Sequence, residues 1–71
     1  MNLQQRVEQA AYRRTAPSEL ERLAADHNVV VRWQVARNPA IPAAVLDRLL
    51  AADADLAVRL AAKAAAARRR A

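Results

Sequence analysis

The chain has no cysteine and no glycine, a single histidine, two aromatic residues and no long apolar run. Without cysteine there are no disulfides, no thiolate metal sites and no Fe–S cluster. His27 alone does not make a multi-histidine metal centre. A glycine-rich phosphate loop is excluded, and Tyr12 and Trp33 are too few to form a stacking platform for nucleobases. Nowhere do about 18 apolar residues run together, as a membrane-spanning helix requires, and the polar start from Met1 to Arg6 is no secretory signal. The composition therefore reads as a soluble cytoplasmic protein. At 71 residues it is one small module, too short for separate cofactor and substrate lobes.

What is present points to helix. Alanine, leucine and arginine abound, and three prolines at 17, 39 and 42 punctuate the chain. Of 39 apolar residues 20 are alanine, leaving 19 larger side chains for a core. A chain of this size buries only about 60% of its unfolded surface and seldom nets more than roughly 3–5 kcal/mol without a staple or a partner. The core is thin, and something else must complete it.

Chemistry-bearing residues are sparse. Glu19 and Glu21, like Asp53 and Asp55, stand two apart on a helix or cap, which does not aim both carboxylates at one point. His27 reads as an exposed turn residue beside Asp26. Ser18 and Thr15 read as turn or cap residues without a histidine at a usable spacing. No catalysis and no cofactor are expected. The net charge is +5, but residues 1–62 hold eight basic and seven acidic side chains, so the surplus is Lys63, Arg68, Arg69 and Arg70. Arginines at a helix C-terminus favour the negative end of its dipole and keep an alanine-rich helix soluble. The same four residues are the expected nucleic-acid contacts if the chain binds an anionic backbone.

Along the chain, residues 3–14 form a first helix with Leu3, Val7, Ala10 and Ala11 on one stripe. Pro17 suits the first turn of a second, over 17–25, with Leu20, Leu23 and Ala24 inward. Asn28 caps a third helix over 29–37, and Asn38-Pro39 stops it. The pattern then recurs. Pro17-x-x-Leu20-x-x-Leu23 answers to Pro42-x-x-x-Leu46-x-x-Leu49, and Asp26-x-Asn28-x-x-Val31-Arg32-x-x-Val35 answers to Asp53-x-Asp55-x-x-Val58-Arg59-x-x-Ala62, a shift of 27 residues. Two short helices per unit at this period predict an all-α helical-repeat solenoid of five helices and about two and a half units: a half unit at 3–14, units at 15–39 and 40–67, and a basic tail at 68–71.

Residues 15–62 resemble the variant leucine-rich repeat family, a HEAT-like architecture. Its units run approximately Pro, paired leucines, Asp, Val-Arg, Val-Ala, Asn-Pro. Pro17, Leu20, Leu23, Ala24, Asp26, Val31, Arg32, Val35, Ala36, Asn38 and Pro39 match one unit, and Pro42, Leu46, Leu49, Asp53, Val58 and Arg59 match the next. The second unit has one extra residue before Leu46 and another before Asp53, and its Asn-Pro is replaced by Ala65-Ala66, as in a terminal unit. The resemblance implies a right-handed superhelix. Some relatives carry an Fe–S domain, an activity that does not transfer to a chain without cysteine.

Binding of another macromolecule is the expected function. Repeat units bury their faces against neighbours, normally over at least about three units, so the first helix (Leu3, Val7, Ala10) and the last (Leu56, Leu60, Ala64) are expected to expose apolar faces that a second copy or another protein completes. Arg32, Trp33, Arg37 and Arg59 are the expected partner-binding residues. Each has a second reading. Asp26 with Arg32, and Asp53 with Arg59, lie six apart across a helix start, where each arginine can reach its own aspartate or that of the neighbouring unit. Trp33, whose counterpart is Leu60, can pack between units or anchor a partner. A protein partner is the first expectation and nucleic acid, helped by Arg6, Arg13, Arg14 and Arg37, the second; a membrane is not expected, because the apolar side of residues 55–70 is mostly alanine.

Overall fold

Side-chain caps set where the helices begin. In the computed structural model, which describes residues 1–70, the Asn2 side chain accepts the Gln5 amide at 2.8 Å while the Gln5 side chain accepts the Asn2 amide at 2.9 Å, a reciprocal cap that opens α1 (Leu3–Ala11). Pro17 occupies the first turn of α2 (Pro17–Leu23), where its missing N–H costs nothing. Asn28 accepts the Val30 amide at 2.8 Å and opens α3 (Val29–Arg37). Pro42 precedes α4 (Ala43–Ala52), and Asp55 accepts the Val58 amide at 3.2 Å in the first turn of α5 (Leu56–Arg70). Among the described residues there are five helices and no strand. Ala71, the last residue of the basic tail, lies outside them.

Two helices stop earlier than their apolar periodicity predicts. The first ends at Ala11 rather than at residue 14, because its terminal carbonyls find donors off the helix: Thr15 Oγ donates to Gln9 O at 2.6 Å, and Asn38 Nδ2 donates to Ala10 O at 2.8 Å and Tyr12 O at 2.9 Å. The second ends at Leu23 rather than 25, tightened by three-residue bonds from Ala25 to Arg22 and from Asp26 to Leu23. Asn38-Pro39 ends α3 as expected, with Asn38 in an extended conformation.

Helix α3 packs against both α1 and α5, which make no substantial contact with each other, and α4 lies along α5 while α2 touches α1 and α3. The result is a slab of 34 × 25 × 15 Å. Leu20, Val31, Val35 and Val58 are its largest fully buried side chains. Leu23, Ile41, Val45, Leu46 and Leu49 fill much of the remainder, joined by alanines. Ala10, Ala36 and Ala62 are completely buried, and so small a side chain lets neighbouring helix axes approach closely. Ala10 is therefore a covered contact and not part of an exposed flank, while Ala11, expected on the inward stripe, faces solvent. No described helix is long and apolar enough to cross a membrane.

Candidate functional site

The expected partner-binding residues divide between two places. Arg32 is not free: its Nε donates to Asp53 Oδ2 at 2.9 Å, its Nη1 donates to Asp26 O at 2.8 Å, and its side chain is only 18% exposed. Arg6 makes the matching pair 26 residues earlier, its Nε donating to Asp26 Oδ2 at 2.7 Å and its Nη1 to Met1 O at 3.3 Å. Arg59 donates through Nη1 to Asp53 O at 2.7 Å. Each arginine thus touches the backbone of the loop before its own helix, and the carboxylates of Asp26 and Asp53 go to the arginine of the preceding helix of the row. Arg6 escapes notice if only the two complete motifs are compared. Its signal was available, since Arg6 and Ala10 precede Arg32 and Ala36 by the same 26 residues.

The aspartates also shape the loops that carry these helices. Asp26 Oδ1 accepts the Asn28 amide at 2.9 Å, and Asp53 Oδ1 accepts the Asp55 amide at 2.9 Å. Burial pushes the Asp26 carboxyl up, but the Asn28 amide and the Arg6 guanidinium together outweigh it and hold the group below its ordinary value of 3.8. His27 beside it is exposed, with Nδ1 3.8 Å from the carboxylate. The sign follows directly: below pH 3.8 the unfolded chain takes up this proton before the folded one, so the stability held by Asp26 is present above that pH and lost as the pH falls through the folded value. Arg6→Gln should therefore flatten the decline of the thermal midpoint between about pH 5 and pH 2 relative to the parent chain. Parallel melting curves would show that Arg6 does not hold the proton off.

Trp33 and Arg37 lie on the other surface, the shared face of α3 and α5. The Arg37 guanidinium stacks 4.5 Å from the Trp33 ring centre. One edge of the indole packs on the core, and the rest lines two adjoining clefts of 240 and 360 Å³. The walls of these clefts include Val29, Val30, Leu60 and Ala64, with Arg68 at the rim. Trp33 is thus packed on one side and open on the other. Val30 and Leu60 remain 46% and 54% exposed, which marks the strip as uncovered within this chain. Leu60 and Ala64 line this groove, and, as expected of the last helix, they and Leu56 are exposed, as is Leu3 of the first.

The basic residues of the last helix fall into two groups. Arg68 and Arg69 join Arg37 around a third cleft of 420 Å³ beside Pro39, with Arg69 donating to Ile41 O. Arg59, Lys63 and Arg70 recur at spacings of four and seven on one face of α5, and Arg70 lines a cleft with Ala43, Leu46 and Asp47 of α4. Asn38, which the sequence presents only as a helix stop, is 2% exposed and ties α1 to the α3–α4 loop, where its Oδ1 also accepts the Ala40 amide at 2.8 Å. No group of three His, Asp or Glu side chains gathers as a metal site among the described residues. No family model, curated protein or solved structure matches the chain.

Proposed function

We propose that the chain is a non-catalytic protein-interaction module, a short right-handed helical-repeat solenoid of about two and a half helix-pair units that holds another protein, or a second copy, on the face shared by α3 and α5. The repeat reading is supported by the resemblance to variant leucine-rich repeats and by arginine and aspartate bonds that recur at offsets of 26 and 27 residues. One observation carries the functional reading: Val29, Val30, Trp33 and Leu60 form a contiguous uncovered strip bordered by Arg37 and Arg68. An aromatic anchor beside arginines, in a groove that excludes water once filled, is the composition of interface hot spots.

Trp33→Ala is a poor test alone, because the indole also packs on the core. Leu60→Glu is better, since the side chain is 54% exposed. It should leave the melting curve within a few degrees of the parent while weakening partner binding by about thirtyfold, as a carboxylate replaces an apolar contact at the centre of the groove. Affinity capture with the parent and the variant, followed by titration of the captured protein, measures this; light scattering reads self-association in the same pair. Equal binding by both chains, with equal mass, would remove the groove as the interface.

A nucleic-acid reading draws on a separate observation, that Arg37, Arg68 and Arg69 line one cleft without an acid among its walls. It requires duplex affinity to fall with salt at a slope of about −0.9 per neutralised phosphate. A flat salt dependence dismisses it.

A further inference from the structure

The bonds of Arg6 and Arg32 provide an internal template for Arg59. In both, Nη1 donates to a backbone carbonyl of the loop before the helix, Met1 O or Asp26 O, and Nε donates to a carboxylate, at 2.7 Å from Asp26 and 2.9 Å from Asp53. Arg59 reproduces the first half, with Nη1 2.7 Å from Asp53 O. Among the described residues no carboxylate completes the second half. The guanidinium is anchored in the arrangement that twice holds an aspartate, with its Nε edge unused. Anchoring matters because a donor already fixed loses less side-chain freedom when an acceptor arrives.

A second difference lies one turn further on. Ala10 and Ala36 occupy matching positions in α1 and α3, and both are completely buried where the next helix of the row packs. The matching residue of α5 is Lys63, which is exposed. A lysine ammonium resists the flush helix contact that an alanine allows, because its burial without a partner is costly. Arg59 and Arg70 share this face, and with no acid in α5 the edge is cationic where the inner helices are apolar, although at its far end Arg70 shares a cleft with Asp47 of α4, to which it is not ion-paired.

We propose that the outward edge of α5 binds an extended acidic segment of another protein, one carboxylate seated on Arg59 as Asp26 sits on Arg6, and the next ones on Lys63 and Arg70. A helix rise of 1.5 Å per residue puts Lys63 about 6 Å and Arg70 about 16 Å along the axis from Arg59. Alternate residues of an extended chain stand about 6.6 Å apart on one side, so acids at every second position match the first step, and about five residues span the whole edge. A second copy does not fit. Its Asp26 and Asp53 are held by Arg6 and Arg32, its Asp55 caps α5, and its Glu8, Glu19, Glu21 and Asp47 lie on helices and not on an extended strand. The proposal rests on the interaction-module reading but uses a surface separate from the Trp33 groove.

The probe is the acetylated, amidated peptide Asp-Ser-Asp-Ser-Asp, titrated at low salt into the full chain while the Arg Nε–Hε resonances are followed; the same peptide with Asn for Asp is the control. The Arg59 signal should shift saturably while those of Arg6 and Arg32 stay fixed. Arg59→Gln and Lys63→Gln should each weaken binding by about fivefold to tenfold, and Arg68→Gln, on the groove side, by less than about twofold. Among the described residues the Lys63 side chain makes no hydrogen bond or ion pair, so its variant reads binding even if Arg59→Gln loosens the Asp53 loop. Equal losses in all three variants, equal affinity for the Asn peptide, or tighter competition by a short DNA duplex would overturn the proposal. Leu60→Glu separates the two surfaces: loss of peptide binding with Leu60-dependent capture intact removes the edge and spares the groove.

Discussion

Asn38→Ala should remove a large share of the chain's folding stability. The Asn38 side chain donates to two carbonyls at the end of α1, Ala10 O and Tyr12 O, the second of which also accepts the Thr15 amide, and it is the acceptor for the Ala40 amide. The residue is 2% exposed and sits beside completely buried Ala10, so water does not readily replace it. An abandoned buried polar group costs about 1–3 kcal/mol, and the Ala10 carbonyl and the Ala40 amide lose their partner together, for an expected loss of about 3 kcal/mol. A chain of this length has on the order of 4–10 kcal/mol in total. The thermal midpoint followed by circular dichroism should fall by about 15 °C or more. Asn38→Asp keeps the acceptor for Ala40 but turns the donor into an anion facing two carbonyl oxygens, so it should be as harmful at neutral pH and partly relieved in acid. A drop below about 5 °C for Asn38→Ala would mean that solvent reaches the end of α1.

The residues that read correctly from sequence are those whose physics is local. Asn28 caps the amide two residues on, Pro17 sits in a first turn, and Asn38-Pro39 breaks a helix; each needs only a few neighbouring residues, so type and spacing suffice. Leu20, Leu23 and Ala24 are inward because helical periodicity selects one face. Long-range partners were less legible. Helical periodicity alone carries α1 on to residue 14, because the donors that stop it at Ala11 include Asn38, 28 residues from Ala10. The six-residue spacing of Asp26 and Arg32 brings the guanidinium to the aspartate's carbonyl, but the choice of Asp53 for its Nε depends on how the row of helices stacks. For the site, the Trp33–Arg37 pairing follows from a four-residue spacing, whereas the approach of Arg68 to it depends on the relative placement of α3 and α5.

These polar ties matter more here than in a leucine-rich core. Five of the fourteen buried apolar residues are alanines, which contribute little area each, so the relative placement of α1, α3 and α5 relies on the arginine–aspartate pairs and on Asn38 to a greater degree. That placement in turn forms the groove: Trp33 and Arg37 come from α3, Leu60 and Arg68 from α5.

Arg32→Gln is the substitution that tests this dependence, and it should destabilise the chain by about 3 kcal/mol. The Asp53 side chain is 4% exposed, and removing the guanidinium leaves its carboxylate buried with only the Asp55 amide to satisfy it. Asp53→Asn should cost less, about 1–2 kcal/mol, because the amide oxygen still accepts from Asp55 and a neutral group tolerates burial. In the double variant most of the Arg32→Gln penalty should vanish, giving a coupling energy of about 1–2 kcal/mol in urea unfolding. Arg6→Gln should be milder, since the Arg6–Asp26 pair is more open to solvent at 22% and 9%. Additive losses from Arg32 and Asp53 would show that the two side chains contribute through packing alone. A real coupling has a consequence at a distance: the Asp53 loop also carries the carbonyl that anchors Arg59, so the Arg32 variant should blunt acidic-peptide binding at the α5 edge without touching a residue there.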